Sequence, residues 1–148
     1  MPDQDQEHTA SLKLFVVLSK AYKTIMDQAI KDMKRRGLSP SEFTILEVLY
    51  NKGRIPLQQI GDKILITSGS VTYNIDKLVQ KRLIRRVPCE QDRRVIYAEI
   101  TTDGTEMFEQ IFPDHSEFVH SRLSGLSYEE KLQAIELLKR LGKGAEES

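Results

Sequence analysis

Residues 67–101 limit the possible folds of this chain more than any other stretch. Val71, Ile75, Leu78 and Val79 recur at three- and four-residue spacing, which lines them along one side of an α-helix. Thr67 is a suitable N-cap for that helix. The expected outer face holds Gly69, Ser70, Tyr73, Asn74, Lys77 and Gln80, which are polar and mostly uncharged. At Lys81-Arg82 the pattern changes. Leu83–Pro88 and Val95–Thr101 are rich in β-branched residues and predict two strands. A charged tip, Cys89-Glu90-Gln91-Asp92-Arg93-Arg94, joins them. A helix running into a hairpin with an arginine tip is the pattern of a winged helix-turn-helix. Hydroxyls and amides on such a helix match base edges in a major groove, and tip arginines suit the negative potential of a minor groove.

Charge supports this reading. The chain of 148 residues carries 22 basic and 22 acidic side chains, so its net charge is zero. Between Lys52 and Tyr97, however, ten Lys or Arg face four Asp or Glu, a surplus of six that the rest of the chain offsets. A basic centre between acidic ends is the electrostatic footprint of a module that meets polyanions. A chance surface fluctuation would not coincide with the helix and hairpin.

The remaining segments read as helices. Leu12, Phe15, Val16, Tyr22, Ile25, Met26, Ala29, Ile30 and Met33 predict an amphipathic helix over about residues 8–36, closed by Gly37. Ser39-Pro40-Ser41-Glu42 is a capping box with proline at the first helical position. Phe43, Leu46, Leu49 and Tyr50 form the buried face of this second helix, and Gly53 ends it. Ile55-Pro56 is expected to open a short third helix through Ile64. After the hairpin, Thr101-Thr102-Asp103 starts a helix with Met107, Phe108, Ile111 and Phe112 on its apolar side. Pro113 predicts a kink or break there. Ser127-Tyr128-Glu129-Glu130 caps a last helix carrying Leu132, Ile135, Leu138 and Leu141. The expected architecture is one mainly α domain over 1–148, with a small β-hairpin wing. Its winged helix covers about 39–101, and helices at about 8–36 and 102–143 have apolar faces left to bury. The simplest way to bury them is against a second copy in a two-fold dimer, which would set two reading helices about 34–36 Å apart. A single intramolecular bundle is the competing arrangement.

Several classes fall away. The longest purely apolar run, Leu14 to Leu18, is too short to span a membrane, and the polar N-terminus does not read as a secretory signal. A cytoplasmic location is therefore the default expectation. One cysteine, Cys89, excludes an internal disulfide framework. Cys89 lies beside Glu90, whereas reactive thiolates favour electropositive surroundings, so it reads as an inert residue. His115 and His120 are five residues apart and do not share a helix face as metal ligands would, so no metal or cofactor is expected. His115 reads as a polar group in a ligand pocket or, slightly favoured, as a surface residue beside the proline. No nucleophile–base motif, phosphate loop or zinc signature is present, so an enzyme is not expected.

The candidate DNA contacts are Ser68, Ser70, Thr72, Tyr73, Asn74 and Lys77 on the helix, and Arg86, Asp92, Arg93 and Arg94 in the hairpin. Asn74 has the donor–acceptor pair that matches adenine. An amphipathic helix with a polar outer face is, by itself, an ordinary surface helix. The capped helix before it and the arginine tip after it turn the reading towards DNA.

Asp92-Arg93-Arg94 before a strand ending Ile100-Thr101-Thr102-Asp103-Gly104 resembles the wing of the MarR family of bacterial regulators. Leu57-Gln58-Gln59-Ile60-Gly61-Asp62-Lys63 and Ile111-Phe112-Pro113-Asp114-His115 are similar to the quinone-responsive repressors of Gram-positive bacteria within it. The resemblance covers nearly the whole chain. It implies a homodimer on a pseudo-palindromic double-stranded operator, with Arg94 in the minor groove and Asp92 bracing it. It also implies a small-molecule site between the outer helices and the winged helix. Phe15, Tyr22, Phe43, Tyr50, Phe108 and Phe112, with His115, are the candidates to line that site for an aromatic or quinone-like effector, although for each aromatic alone plain core packing is the stronger reading. The rival readings are a thiol-switched repressor using Cys89 and a winged-helix module that binds protein instead of DNA.

Overall fold

The structure, a computed structural model, describes residues 1–63 and 71–147. They divide into two compact units, 1–115 and 116–148. Helix α1 spans Gln4–Arg35. It begins a turn earlier than expected because Asp3 and Gln6 form a reciprocal capping box, with the Gln6 amide donating to Asp3 Oδ1 at 2.8 Å. Its C-terminus turns through Gly37 at φ +86°, a left-handed position that glycine adopts without strain. Only the C-terminal part of α1 enters the core, through Met33 and Asp32, and residues 4–24 are exposed.

Helix α2, Pro40–Lys52, starts at the Ser39/Glu42 capping box and ends at Gly53, as its sequence predicts. Phe43, Ile45, Leu46 and Leu49 are fully buried in it, whereas Tyr50 sits at the rim with 37% exposure. The residues after Gly53 depart from expectation. Arg54–Pro56 form a strand, β1, and the short helix α3 begins only at Leu57 and runs to Lys63. β1 pairs antiparallel with a later strand, placing Ile55 opposite Ala98. No local signal marks a three-residue strand, because its hydrogen bonds come from residues more than forty positions away.

Helix α4, Val71–Gln80, ends in a reverse turn in which Arg82 donates to the Val79 carbonyl at 2.9 Å and Leu83 to that of Leu78 at 3.0 Å. Arg82 takes the left-handed position at φ 62°. Strands β2, Ile84–Pro88, and β3, Ile96–Ile100, follow as predicted, with Ile84 opposite Ile100 and Pro88 opposite Ile96. The sheet order is β1-β3-β2, so the hairpin gains a third strand and β2 is an edge.

Helix α5 spans Thr102–Arg122 without a break at Pro113. The proline removes one backbone donor, but Phe112, Pro113 and Asp114 are exposed, so water can satisfy what is lost. Near its start Gly104 is buried against β2's approach: a Cβ there would lie 2.1 Å from the Leu83 carbonyl oxygen. In the second unit, Ser127 and Glu130 form the predicted capping box of α6, Tyr128–Glu146. Among the described residues no helix is long and apolar enough to cross a membrane.

Candidate nucleic-acid interface

Helix α4 turns one face into the core and one outwards. Ile75 and Leu78 are buried, and Thr72, Tyr73 and Asp76 are exposed. Lys77 lies half-buried with its ammonium 5.4 Å from the Tyr73 ring centre, a cation–π contact that orders both side chains. Asn74 departs from the expected outer face: it is buried, at 5% exposure. The reason is angular. At about 100° per residue, Asn74 stands only about 40° from Leu78 around the helix, on the flank of the apolar stripe. The expected N-cap Thr67, with Ser68, Gly69 and Ser70, lies outside the described residues.

The wing tip is built around Asp92. Its carboxylate accepts from the Arg94 backbone amide at 3.0 Å and from the Arg94 guanidinium at 3.2 and 3.3 Å. The arginine hydrogen bonds hold the Asp92 carboxyl below its ordinary range. Arg94 is nonetheless 90% exposed, so one carboxylate aims a cation that is otherwise open to solvent. Cys89 and Val95 close the tip, the Cys89 amide donating to the Val95 carbonyl at 3.1 Å. Arg93 is exposed beside Arg94. The Gln58 side chain donates to the Arg94 carbonyl at 3.4 Å, tying α3 to the tip. Arg86 does not stand free, because its guanidinium pairs with Asp76 of α4. The sequence reading missed Asp76 and Gln58. Asp76 falls one helical turn after Thr72, which is the signal that places it on the outer arc.

Behind α4, Lys81 donates to Glu42 Oε2 at 2.6 Å and to the Gly37 carbonyl at 3.2 Å, fastening the end of the reading helix to the α1–α2 corner. Burial pushes the Glu42 carboxyl up, but Lys81 and the Ser39 amide outweigh it and leave it low.

The aromatic candidates separate into two sets. Phe43, Tyr50, Phe108, Phe112 and His115 form one cluster. Its ring centres are 4.4 Å apart for Phe43–His115, 5.9 Å for Phe43–Phe108, 4.6 Å for Tyr50–Phe108 and 5.3 Å for Phe108–Phe112. Phe43 and Phe108 are buried core, while Tyr50 and Phe112 form the accessible rim. The Tyr50 hydroxyl donates to Glu109 at 3.1 Å, which pushes its phenol pKa up. Phe15 and Tyr22 are not part of the cluster; they stand exposed on α1 at 68% and 61%. His115 is not at the surface, the slightly favoured of its two expected places, but is buried against Phe43 and meets Asp32. Cys89 is half-buried, its thiol 3.6 Å from the Gln91 side-chain oxygen. Among the described residues no group of three His, Cys, Asp or Glu converges to hold a metal.

Comparison with known proteins agrees with this geometry. The family model of the MarR family matches residues 38–96, from the start of α2 to the start of β3. The chain is 51% identical to the HTH-type transcriptional regulator MhqR of Bacillus subtilis over 137 residues, which is 93% of this chain and 94% of that protein. It is 30% identical to the HTH-type transcriptional repressor MdtR of the same organism, over 87% of this chain and 83% of that one. Among solved structures, the MarR family regulator Sco3205 of Streptomyces coelicolor, in complex with DNA, shares the fold with a TM-score of 0.81 at 18% identity, covering 97% of this chain and 89% of that one. With half its residues shared with one such regulator along almost the full length of both, this chain belongs to the MarR family and is a winged-helix transcriptional regulator, not an enzyme.

Proposed function

We propose that the protein is a homodimeric repressor that holds a pseudo-palindromic operator and leaves it when a small aromatic or quinone-like compound binds. The observation that carries the operator half is Arg94, aimed by Asp92 at the wing tip while α4 exposes Thr72 and Tyr73. Phosphate and minor-groove contacts from the wing would fix register, and the helix would read bases. Repression is supported by the likeness to MdtR, a repressor. The dimer accounts for apolar side chains that the single chain leaves in water: Leu12, Phe15 and Tyr22 on α1, and Leu132, Ile135 and Leu138 on α6. The effector half rests on the Tyr50–Phe112 rim, where an aromatic ring can stack and the Tyr50 hydroxyl can meet a ligand hydroxyl. The resemblance to quinone-responsive repressors supports that class. An effector that favours the non-binding state by about 1–3 kcal/mol would loosen the complex roughly 5–150-fold.

The test is gel-shift on the DNA upstream of the gene and its neighbours, against random DNA, with and without hydroquinone, beside sedimentation of the free protein. Salt-sensitive, sequence-selective binding by a dimer, reversed by the phenol, is expected. Equal affinity for random DNA, a monomer in sedimentation, or a complex indifferent to quinones and phenols would each remove the corresponding part.

A further inference from the structure

We infer that the Asp76–Arg86 ion pair sets the position of the wing against the reading helix, making Arg86 a positioning residue and not a phosphate contact. The inference rests on the DNA-binding reading above and adds a division of labour among its arginines. β2 is an edge strand, bonded to β3 alone, so strand pairing secures only one of its sides. Ile84, two residues before Arg86 and on the same face of β2, is buried. Arg86 continues that face towards α4, where it lines a crevice of about 60 Å³ with Leu57, Val71, Thr72 and Ile75. Its guanidinium then reaches Asp76. One side chain therefore pairs with α4, and lines a crevice bounded by α3 and α4, from the strand that carries the wing.

The chemistry of Asp76 points the same way. Asp76 lies one turn beyond Thr72 and three residues beyond Tyr73, on the exposed arc that would face DNA. An unpaired carboxylate there would repel phosphates. Paired with Arg86, its charge is neutralised and used as an anchor. The two side chains are 50% and 38% exposed, and a pair so open to water adds little to global stability. Its effect is on geometry, because Arg93 and Arg94 are carried by the hairpin whose angle it holds. The guanidiniums thus have different roles. Arg94 is exposed and aimed by its own loop, whereas Arg86 is engaged with the helix.

The two roles for Arg86 predict opposite signs at Asp76, which fluorescence anisotropy on operator DNA can read. Wild type, Asp76→Asn, Arg86→Gln and the double variant are compared over a salt series, with thermal unfolding of each. If the pair positions the wing, each single variant binds roughly three- to tenfold more weakly, and the double variant is no worse than either. Melting temperatures and salt slopes stay near wild type. If Asp76→Asn binds as well as or better than wild type while Arg86→Gln loses affinity and about one unit of salt slope, Arg86 is a phosphate contact and the inference is overturned. Unchanged affinity in both singles overturns it equally. Failure of the wild type to bind any DNA would be seen first and would sink the parent reading instead.

Discussion

Asp32 Oδ2 lies 3.4 Å from His115 Nδ1, joining the last turn of α1 to the middle of α5. Arg36 holds the same carboxylate with two bonds, at 3.0 and 3.1 Å, and Arg35 adds a third at 3.1 Å. Asp32 is 1% exposed, so a charge is buried and answered from three side chains. Burial raises its pKa, but the bonds from Arg36 and His115 outweigh burial and bring it below the ordinary 3.8. A depressed carboxylate contributes stability above its unfolded value and loses it as pH falls through the folded one. Asp32→Asn is therefore expected to cost on the order of 2 kcal/mol at neutral pH. The gap to wild type should begin to close below the ordinary 3.8. Urea unfolding of both proteins across that range checks the size and the sign; equal stability at neutral pH would show that the cluster contributes nothing net.

Gly104 makes a close approach that no other residue allows. An added Cβ would meet the Leu83 carbonyl oxygen at 2.1 Å and Ile100 Cγ1 at 2.8 Å. That carbonyl already accepts from the Thr101 amide at 3.0 Å, so it is not free to move away. Gly104→Ala is expected to destabilise the fold by about 1–3 kcal/mol through overpacking where the wing meets α5. A melting temperature at or above wild type would contradict the close contact.

Arg94→Ala should weaken operator binding by about 1–3 kcal/mol without unfolding the protein, since Arg94 is 90% exposed. Asp92→Asn, which keeps the arginine but loosens its aim, should weaken binding less. Anisotropy titrations rank the three proteins, and an Asp92 variant worse than the Arg94 variant would mean that Asp92 mainly holds the loop.

Phe112 is 42% exposed and stacks on buried Phe108. Phe112→Ala should leave stability and operator affinity nearly intact but raise the hydroquinone concentration needed for release. Calorimetry with the compound, paired with gel-shift, reads both. Full effector response in the variant would move the ligand away from the Tyr50–Phe112 rim.

Cys89→Ser should retain DNA binding and effector-induced release, because the thiol meets the neutral Gln91 side chain, which does not stabilise a thiolate. If the serine variant stays on the operator under an oxidant or quinone that frees the wild type, the switch is the thiol.

Local chemistry determined much of this fold without any tertiary contact. The Ser39/Glu42 and Ser127/Glu130 capping boxes start α2 and α6 where those residues stand, because a cap and its partner are three positions apart. Gly37 and Gly53 end helices for an equally local reason, and the β-branched runs located both hairpin strands to within a residue or two. Family membership was legible from the Asp92-Arg93-Arg94 tip and its flanks for the same reason: the features are contiguous. Tertiary structure decided whatever depends on distant partners. Arg54–Pro56 is a strand only because β3 supplies its hydrogen bonds. His115 is buried only because Phe43 and Asp32, more than seventy residues earlier, come to meet it. Phe15 and Tyr22 share the periodicity of buried residues, yet remain exposed because nothing in the described chain covers that part of α1. Periodicity tells which residues lie on one face, but only the packed chain decides whether that face finds a partner.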